Sequence, residues 1–280
     1  MKLVAAGYAI NSSTCLDVIN RESSSDWKEV YHRVSKCAGP LNDKCTVLVV
    51  RSEEQRKLLI AFRGTDSVHE LIDELAQTLN PEQEFLGGHV HHYFLTAFNH
   101  IWPPIKVILE DPETSDYPVI FSGMSLGGAL AAIAAAVTVD LNFRSSEDVA
   151  LRTYGEPRVG DYHFALNFDK LVPNSYRLVN KRDIVPHIPP CKPSRNETGC
   201  VQEAMHYFHH GTEVWYPNGC HTDGDFSVCS GRLEDPACSN SLLTNYTIFD
   251  HIGGYFLNAG AFAEEDCHSD FVNLMYNYVS

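Results

Sequence analysis

No stretch of the 280-residue sequence approaches the roughly 18 consecutive apolar residues that a transmembrane helix needs. The longest apolar run, residues 129–137, is rich in alanine and is typical of a buried helix. No internal repeat, low-complexity tract or CxxC pair is present, and the missing CxxC pair argues against a zinc ribbon. Positive charge is scarce: 21 Lys and Arg face 36 Asp and Glu, a net charge of −15. Such a chain should be repelled by nucleic acid and by anionic lipid headgroups.

Cysteine, in contrast, is abundant, with nine residues, and three N-x-S/T sequons lie at Asn11, Asn196 and Asn245. Together they favour an oxidising, extracellular setting, so we expect a secreted glycoprotein. Spacing alone does not determine the connectivity. Our expectation is Cys15–Cys267, Cys37–Cys45, Cys191–Cys200 and Cys229–Cys238, with Cys220 left over. The N-terminal ten residues are too short and too soon polar for a signal peptide, so we expect the signal to precede Met1.

Short apolar strands alternate with helices along most of the chain. Strands are predicted at residues 45–50, 58–62, 118–121, 149–154 and 176–180. Helices are predicted at residues 94–110, with a break at Pro103-Pro104, and from Leu126 to about Asp140. This order predicts an α/β fold with a mostly parallel sheet covered on both faces. A Cys- and Pro-rich excursion at about 186–245 is interpreted as part of a single domain spanning 1–280.

The segment Gly123-Met-Ser-Leu-Gly127 follows an apolar strand and opens a helix. Glycines on both sides of Ser125 permit the sharp strand-to-helix turn of a nucleophile elbow, while an ordinary Gly-rich turn is the alternative. Ser125 is then the candidate nucleophile. The backbone N–H of Leu126, the residue after it, is a candidate donor to the oxyanion formed during acyl transfer.

A serine hydroxyl needs a base, and in this fold the partners follow in the order Ser, Asp or Glu, then His. Asp183 comes just after a predicted strand, where α/β sheets place their sites; Asp169 is the runner-up, and a salt bridge is the structural alternative for Asp183. Among the histidines that follow, His251 on a Gly-rich loop is favoured by position. The remaining candidates are Asp140, Asp148 and Asp161, and His187, His206, His209, His210, His221 and His268.

Six segments in order resemble the class 3, fungal-type triacylglycerol lipase family of α/β-hydrolases, and the Cys-rich part resembles secreted nematode members. These segments are Phe62-Arg-Gly-Thr65, Val90-His-His-Tyr-Phe94, Gly123-Met-Ser-Leu-Gly-Gly128, Tyr154-Gly-Glu-Pro-Arg-Val-Gly160, Asp183-Ile-Val-Pro186 and Asp250-His251. The resemblance covers roughly residues 2 to 270. It implies a triad of Ser125, Asp183 and His251, and it assigns Thr65 as the second oxyanion donor. Met124 and Tyr93 depart from the family, which often has His and Gly there.

The segment after Thr65 has the pattern of a short amphipathic helix. Ser67 and Glu70 form a capping-box pattern, and the apolar positions recur at i, i+3, i+4 and i+7. These positions are Val68, Leu71, Ile72 and Leu75. A helix packed permanently on the core is the alternative, but the family places its lid here. We therefore expect a lid helix over the site that rolls away at a lipid–water interface.

The resemblance implies a serine ester hydrolase that needs no cofactor and acts on a neutral acylglycerol through an acyl-enzyme. Feruloyl esterase or phospholipase A1 activity on the same scaffold is the alternative, followed by an inactive lipid-binding protein. His89, His91 and His92 invite a metal interpretation, but no carboxylate stands at ligand spacing, so no metal site is expected.

Overall fold

The structure is a computed structural model that describes residues 1–37, 44–64, 72, 75, 83–193, 200–221, 224–230, 234–242, 244–264 and 267. Its strands are β1 (Lys28–Lys36), β2 (Lys44–Ser52), β3 (Lys57–Phe62), β4 (Gln83–Phe85), β5 (Gly88–Val90), β6 (Val119–Met124), β7 (Val149–Tyr154), β8 (Gly160–Asp161), β9 (Ser175–Asn180), β10 (Tyr207–Phe208), β11 (Thr212–Tyr216) and β12 (Ser227–Val228). Its helices are α1 (Lys2–Ala6), α2 (Ser12–Ser23), α3 (His92–Leu109), α4 (Leu126–Asp140), α5 (Tyr162–Leu171), α6 (Phe249–Ile252) and α7 (Ala259–Glu264), with 3₁₀ turns at Ser146–Asp148, Val185–His187 and Ser239–Ser241.

The main sheet has eight strands in the order β1-β2-β3-β6-β7-β9-β11-β12. The five central strands from β3 to β11 are parallel, and β1, β2 and β12 add antiparallel pairs at the two edges. A smaller antiparallel sheet follows the order β10-β8-β5-β4. The mostly parallel α/β-hydrolase sheet expected from the sequence is therefore confirmed.

Both faces of the main sheet are buried. In β2, Val47 and Val49 join a core that includes α3 and α4, while Leu48 and Val50 join a second core that includes α1 and α7. Successive side chains of a strand point to opposite faces, so each strand supplies both cores. A strand buried on both sides reads as a continuous apolar run, which is the pattern that marked β2 and β3 in the sequence.

Helix α4 coincides with the predicted helix, and its residues from Leu126 to Thr138 are all buried. Its alanines combine high helix propensity with small size, which suits a helix enclosed by the sheet and by α3. The predicted break at Pro103-Pro104 is wrong, because α3 continues through both prolines. Proline removes a helix hydrogen bond, but burial of Ile101 and Ile105 on either side keeps the segment helical.

The structure forms the four expected disulfides, Cys15–Cys267, Cys37–Cys45, Cys191–Cys200 and Cys229–Cys238, and leaves Cys220 as a free, buried thiol. The strands β11 and β12 of the Cys-rich excursion belong to the main sheet. Within the described ranges, no helix combines the length and hydropathy of a membrane span.

Candidate active site

Ser125 lies in a sharp turn between β6 and α4, with φ 57° and ψ −130°. This backbone conformation is rare for a residue with a side chain and costs about 1–3 kcal/mol, so the surroundings must hold it in place. The Ser125 N–H donates to the carbonyl of Tyr154 at 2.9 Å, and the Ser125 carbonyl accepts from Gly128 N–H at 2.9 Å. Strand β7 and the first turn of α4 therefore fix the serine at the end of the central sheet.

The two glycines that flank Ser125 allow close backbone contacts. A Cβ on Gly123 would lie 2.1 Å from the carbonyl oxygen of Gly127. A Cβ on Gly127 would lie 2.3 Å from the carbonyl oxygen of Phe62. Both distances are far below a normal contact, so any larger residue would force the turn apart. The G-x-S-x-G spacing is thus required by the packing of α4 against β3 and β6.

The N-terminus of α4 lies directly beside the serine. Leu126 is its first residue and is fully buried, and the first N–H groups of a helix have no carbonyl partner inside the helix. The loop after β3 approaches the same point: a Cβ on Gly64 would lie 3.1 Å from Ser125 Cβ, and Gly64 N–H donates to the Tyr8 hydroxyl at 3.0 Å. Thr65, the next residue, lies outside the described residues.

The Asp183 carboxylate and the His251 ring form a buried pair, with His251 Nδ1 and Asp183 Oδ2 2.8 Å apart. Asp183 follows β9, and His251 belongs to α6. Asp183 Oδ2 also accepts from the Tyr255 hydroxyl, and Oδ1 accepts from Val185 N–H at 2.8 Å. When a carboxylate accepts a hydrogen bond from the Nδ1–H of a neutral imidazole, Nε2 has no proton of its own and is free to take one.

Gly155 places the serine and the histidine around the same strand end. It follows Tyr154, whose carbonyl holds the Ser125 N–H, and it adopts φ 59°. A Cβ on Gly155 would lie 2.7 Å from His251 Nδ1 and Cε1 and 2.8 Å from Asp183 Oδ2, so only glycine fits. Among the described residues, the buried atoms Ser125 Oγ and His251 Nε2 have no hydrogen-bond partner.

Two residues that the sequence did not single out support the acid and the base. The Asn180 amide donates to the carbonyl of Asp250 at 2.7 Å and accepts from Cys220 N–H at 2.9 Å, which ties α6 to the end of β9. Tyr255 donates to Asp183 and accepts from Asn180 N–H at 3.2 Å. Burial, followed by the Asp183 charge, raises the pKa of Tyr255 well above its usual range, so the hydroxyl remains a donor.

The other acid and base candidates have different partners. Asp169 accepts from Gly211 N–H at 2.7 Å. His209 is buried and its Nε2 donates to the carbonyl of Pro186 at 2.6 Å. His187 is stacked on Tyr246, and burial lowers its pKa to about 3. Asp169, His209 and His187 therefore make structural contacts away from the Asp183–His251 pair.

The structure describes some, but not all, of the predicted lid positions, departures from the family pattern and sequons. Leu75 is buried in the core and Ile72 packs against it, while Val68 and Leu71 lie outside the described residues. Of the two departures from the family pattern, Tyr93 is fully buried in the core around α3 and Met124 packs in the second core. Asn11 and Asn245 are exposed, and Asn196 lies outside the described ranges.

The three neighbouring histidines do not converge on one point. His89 Nδ1 lies 3.0 Å from Asp161, whereas His91 Nδ1 accepts from Tyr93 N–H and caps α3. Burial, then the charge on His92, lowers the pKa of His91 to about 3, so the ring is neutral. The sequence spacing showed no carboxylate near these histidines. The structure places Asp161 beside His89, although it lies 72 residues further along the chain.

Comparisons with known proteins show which proteins this chain is similar to. The sequence model of the family described as Lipase (class 3) matches residues 59–193. Lipase ZK262.3 of Caenorhabditis elegans is 32% identical over 95% of this chain and 80% of its own length. A Rhizopus niveus lipase is 30% identical over 76% of this chain. The match spans about half of that lipase, 51% of its length. A solved triacylglycerol lipase whose catalytic centre is a serine protease triad has a TM-score of 0.75 at 28% identity, covering 92% of both chains.

Proposed function

The chain belongs to the class 3 lipase family and is a serine ester hydrolase, and on this premise we propose that it cleaves neutral acylglycerols outside the cell through Ser125, His251 and Asp183. One observation carries the proposal. The strained Ser125 and the Asp183–His251 pair pack against the same end of β7, with Ser125 Oγ and His251 Nε2 both buried and without partners among the described residues.

In the proposed reaction, His251 Nε2 takes the proton of Ser125 as Oγ attacks the ester carbonyl. Asp183 holds the ring in the required tautomer and stabilises its protonated form. The Leu126 N–H and Thr65 donate to the oxyanion, where each donor typically contributes about 100- to 1,000-fold in rate. His251 then protonates the leaving alcohol and activates a water that hydrolyses the acyl-enzyme.

Charge and covalent structure support the choice of substrate and compartment. A net charge of −15 disfavours anionic lipid headgroups, which leaves neutral esters as the better match. Four disulfides suit an oxidising compartment and support secretion. The exposed Asn11 and Asn245 are available for glycosylation.

An ester panel tests this proposal. The purified protein should hydrolyse tributyrin faster than a phosphatidylcholine or a methyl ferulate, and Ser125→Ala should lose about 10⁴-fold or more of that rate. Ser241→Ala, at an exposed serine, is the matched control and should keep the wild-type rate. A preference for the phospholipid or the feruloyl ester would reassign the substrate. Binding of lipid without turnover of any ester would favour an inactive carrier.

We also propose that residues 67–75 form the lid, since their apolar stripe follows the oxyanion loop directly. Leu75 is buried in the core and the partly buried Ile72 packs against it, which matches the closed arrangement of such a lid. Activity should rise steeply when tributyrin exceeds its solubility limit, because an interface would stabilise the open helix. A hyperbolic rate curve through that limit would exclude this role.

A further inference from the structure

Glu156 and His210 form a buried acid–base pair that the proposed reaction does not use. The Glu156 side chain is 1% exposed and that of His210 is fully buried. Glu156 Oε1 lies 3.2 Å from His210 Nε2. The other carboxyl oxygen, Oε2, accepts from the Thr153 hydroxyl at the end of β7. An isolated buried carboxylate is costly, so this position requires either a neutral carboxyl group or a charged partner.

The pair lies directly behind the candidate site. Glu156 follows Gly155, the residue whose backbone packs on His251 and Asp183. On its other side, Glu156 Cβ lies 3.1 Å from the point where a Cβ on Gly128 would stand, in the first turn of the nucleophile helix α4. Glu156 therefore touches the segment that carries Ser125 and continues the segment that supports His251.

His210 connects the same point to the loop of the triad acid. The neighbouring His209 donates from Nε2 to the carbonyl of Pro186, three residues after Asp183. The carbonyl of His210 accepts from Arg177 Nε at 2.5 Å, which anchors the pair to β9. A displacement of Glu156 or His210 would thus reach both Gly155 and the Asp183 loop.

Neither Glu156 Oε1 nor His210 Nε2 has a conventional hydrogen bond among the described residues. One proton between Oε1 and Nε2 would satisfy both atoms, and a proton carried on Oε1 also leaves this buried pair without a net charge. We propose that Glu156 is a positioning residue: it keeps its carboxyl proton in the active enzyme, donates it to His210, and so holds Gly155 against the ring of His251. This inference rests on the proposed function, since it needs His251 as the base.

The electrostatic surroundings are consistent with two neutral partners near neutral pH. Burial raises the pKa of Glu156 to about 8, against smaller opposite contributions from the Thr153 hydrogen bond and the Arg177 charge. Burial, then Arg177, lowers the pKa of His210 well below its usual range. Among the described residues, Thr153 from β7 donates to Glu156, Arg177 from β9 acts on both members of the pair, and His209 interacts with His210 in the segment before β11. Glu213 from β11 and Asp169 from α5 lie around Arg177.

Loss of the Glu156 proton would leave a buried negative charge behind the Asp183–His251 pair. A carboxylate is costly at this fully buried position, so the segment would relax to solvate the charge and Gly155 would be free to move from the His251 ring. The catalytic rate should therefore fall at alkaline pH, because the deprotonated form holds the base less well. The same ionisation should leave substrate binding almost unchanged, since Glu156 is buried away from solvent.

The test is the pH dependence of kcat on a soluble short-chain ester. In wild type, kcat should fall with a midpoint near pH 8, by about tenfold for each further pH unit if only the protonated form is active. Glu156→Gln keeps the shape and a donor toward His210 but cannot ionise. It should keep kcat at pH 7 within a few-fold of wild type and lose the alkaline decline. An unchanged decline in Glu156→Gln overturns the proposal.

Glu147→Gln, the same substitution at an exposed glutamate, is the control and should show the wild-type profile. A second measurement needs no variant: the infrared band of a protonated carboxyl group in wild type should disappear with the same midpoint near pH 8. Absence of that band at neutral pH overturns the proposal even if Glu156→Gln does not fold. Failure of the proposed function would appear separately, as wild-type protein without ester hydrolysis or Ser125→Ala with full activity.

Discussion

At the residue scale, the Asp183 carboxylate shows how much of the candidate site depends on contacts distant in sequence. It accepts from His251, 68 residues away, and from Tyr255, 72 residues away. The sequence order and the strand before it sufficed to propose Asp183. They did not indicate Tyr255 or Asn180, because a tyrosine or an asparagine near a turn has many structural uses and its partner is set by the fold.

Tyr255→Phe removes one donor to Asp183 and keeps the aromatic packing. A hydrogen bond to a charged group contributes about 1.5–3 kcal/mol, so kcat/KM should fall about 10- to 100-fold. The loss should appear in kcat, with KM unchanged. Tyr176→Phe, at an exposed tyrosine, is the control and should change neither parameter. Steady-state kinetics on a soluble ester checks this, and a Tyr255→Phe enzyme with wild-type kcat would show that Asp183 does not need the third donor.

At the element scale, the strand–turn–helix unit β6–Ser125–α4 was predictable because its signals are local. An apolar strand, two glycines at fixed spacing and an alanine-rich run specify it without tertiary information. Helix α3 shows the opposite case, because the two prolines predict a break and burial of both flanks overrides it. The lid pattern is also local, but whether such a helix moves is a property of its packing, which periodicity does not encode.

Gly127→Ala tests the packing of this unit. Its Cβ would lie 2.3 Å from the carbonyl oxygen of Phe62, so backbone must shift, and we expect a loss of about 3 kcal/mol in the free energy of unfolding. Gly260→Ala in α7 is the matched control, with its nearest atom at 3.6 Å, and should stabilise by up to about 1 kcal/mol. Chemical denaturation measures both, and equal stabilities for the two variants would contradict the packing argument.

At the scale of the whole molecule, the Cys15–Cys267 bridge links α2 to a cysteine three residues beyond the end of α7. It closes a loop of 252 residues, and a closed loop of that length restricts the unfolded chain strongly. Replacing both cysteines by serine should cost about 4–5 kcal/mol in the free energy of unfolding. Cys220→Ala leaves all four bridges intact and should cost much less; similar losses in the two proteins would argue against this account.

The buried Glu156 also makes the stability of the whole molecule depend on pH. Its pKa is raised from about 4.5 to about 8, so between these values the folded state holds a proton that the unfolded chain releases. The contribution of Glu156 to the free energy of unfolding is therefore most favourable below about pH 4.5 and decreases as the pH rises toward 8. Glu156→Gln should flatten this part of the stability profile, measured as the denaturation midpoint at several pH values, and an unchanged slope would contradict the assignment.

The most direct test of the central claim is covalent labelling with an alkyl organophosphonate, followed by peptide mass spectrometry. Wild-type protein should carry a single adduct on Ser125, and His251→Ala should label far more slowly, because the base that activates the hydroxyl is missing. An adduct on a different serine, or equally fast labelling of Ser125 without His251, would contradict the assignment of this pair as nucleophile and base.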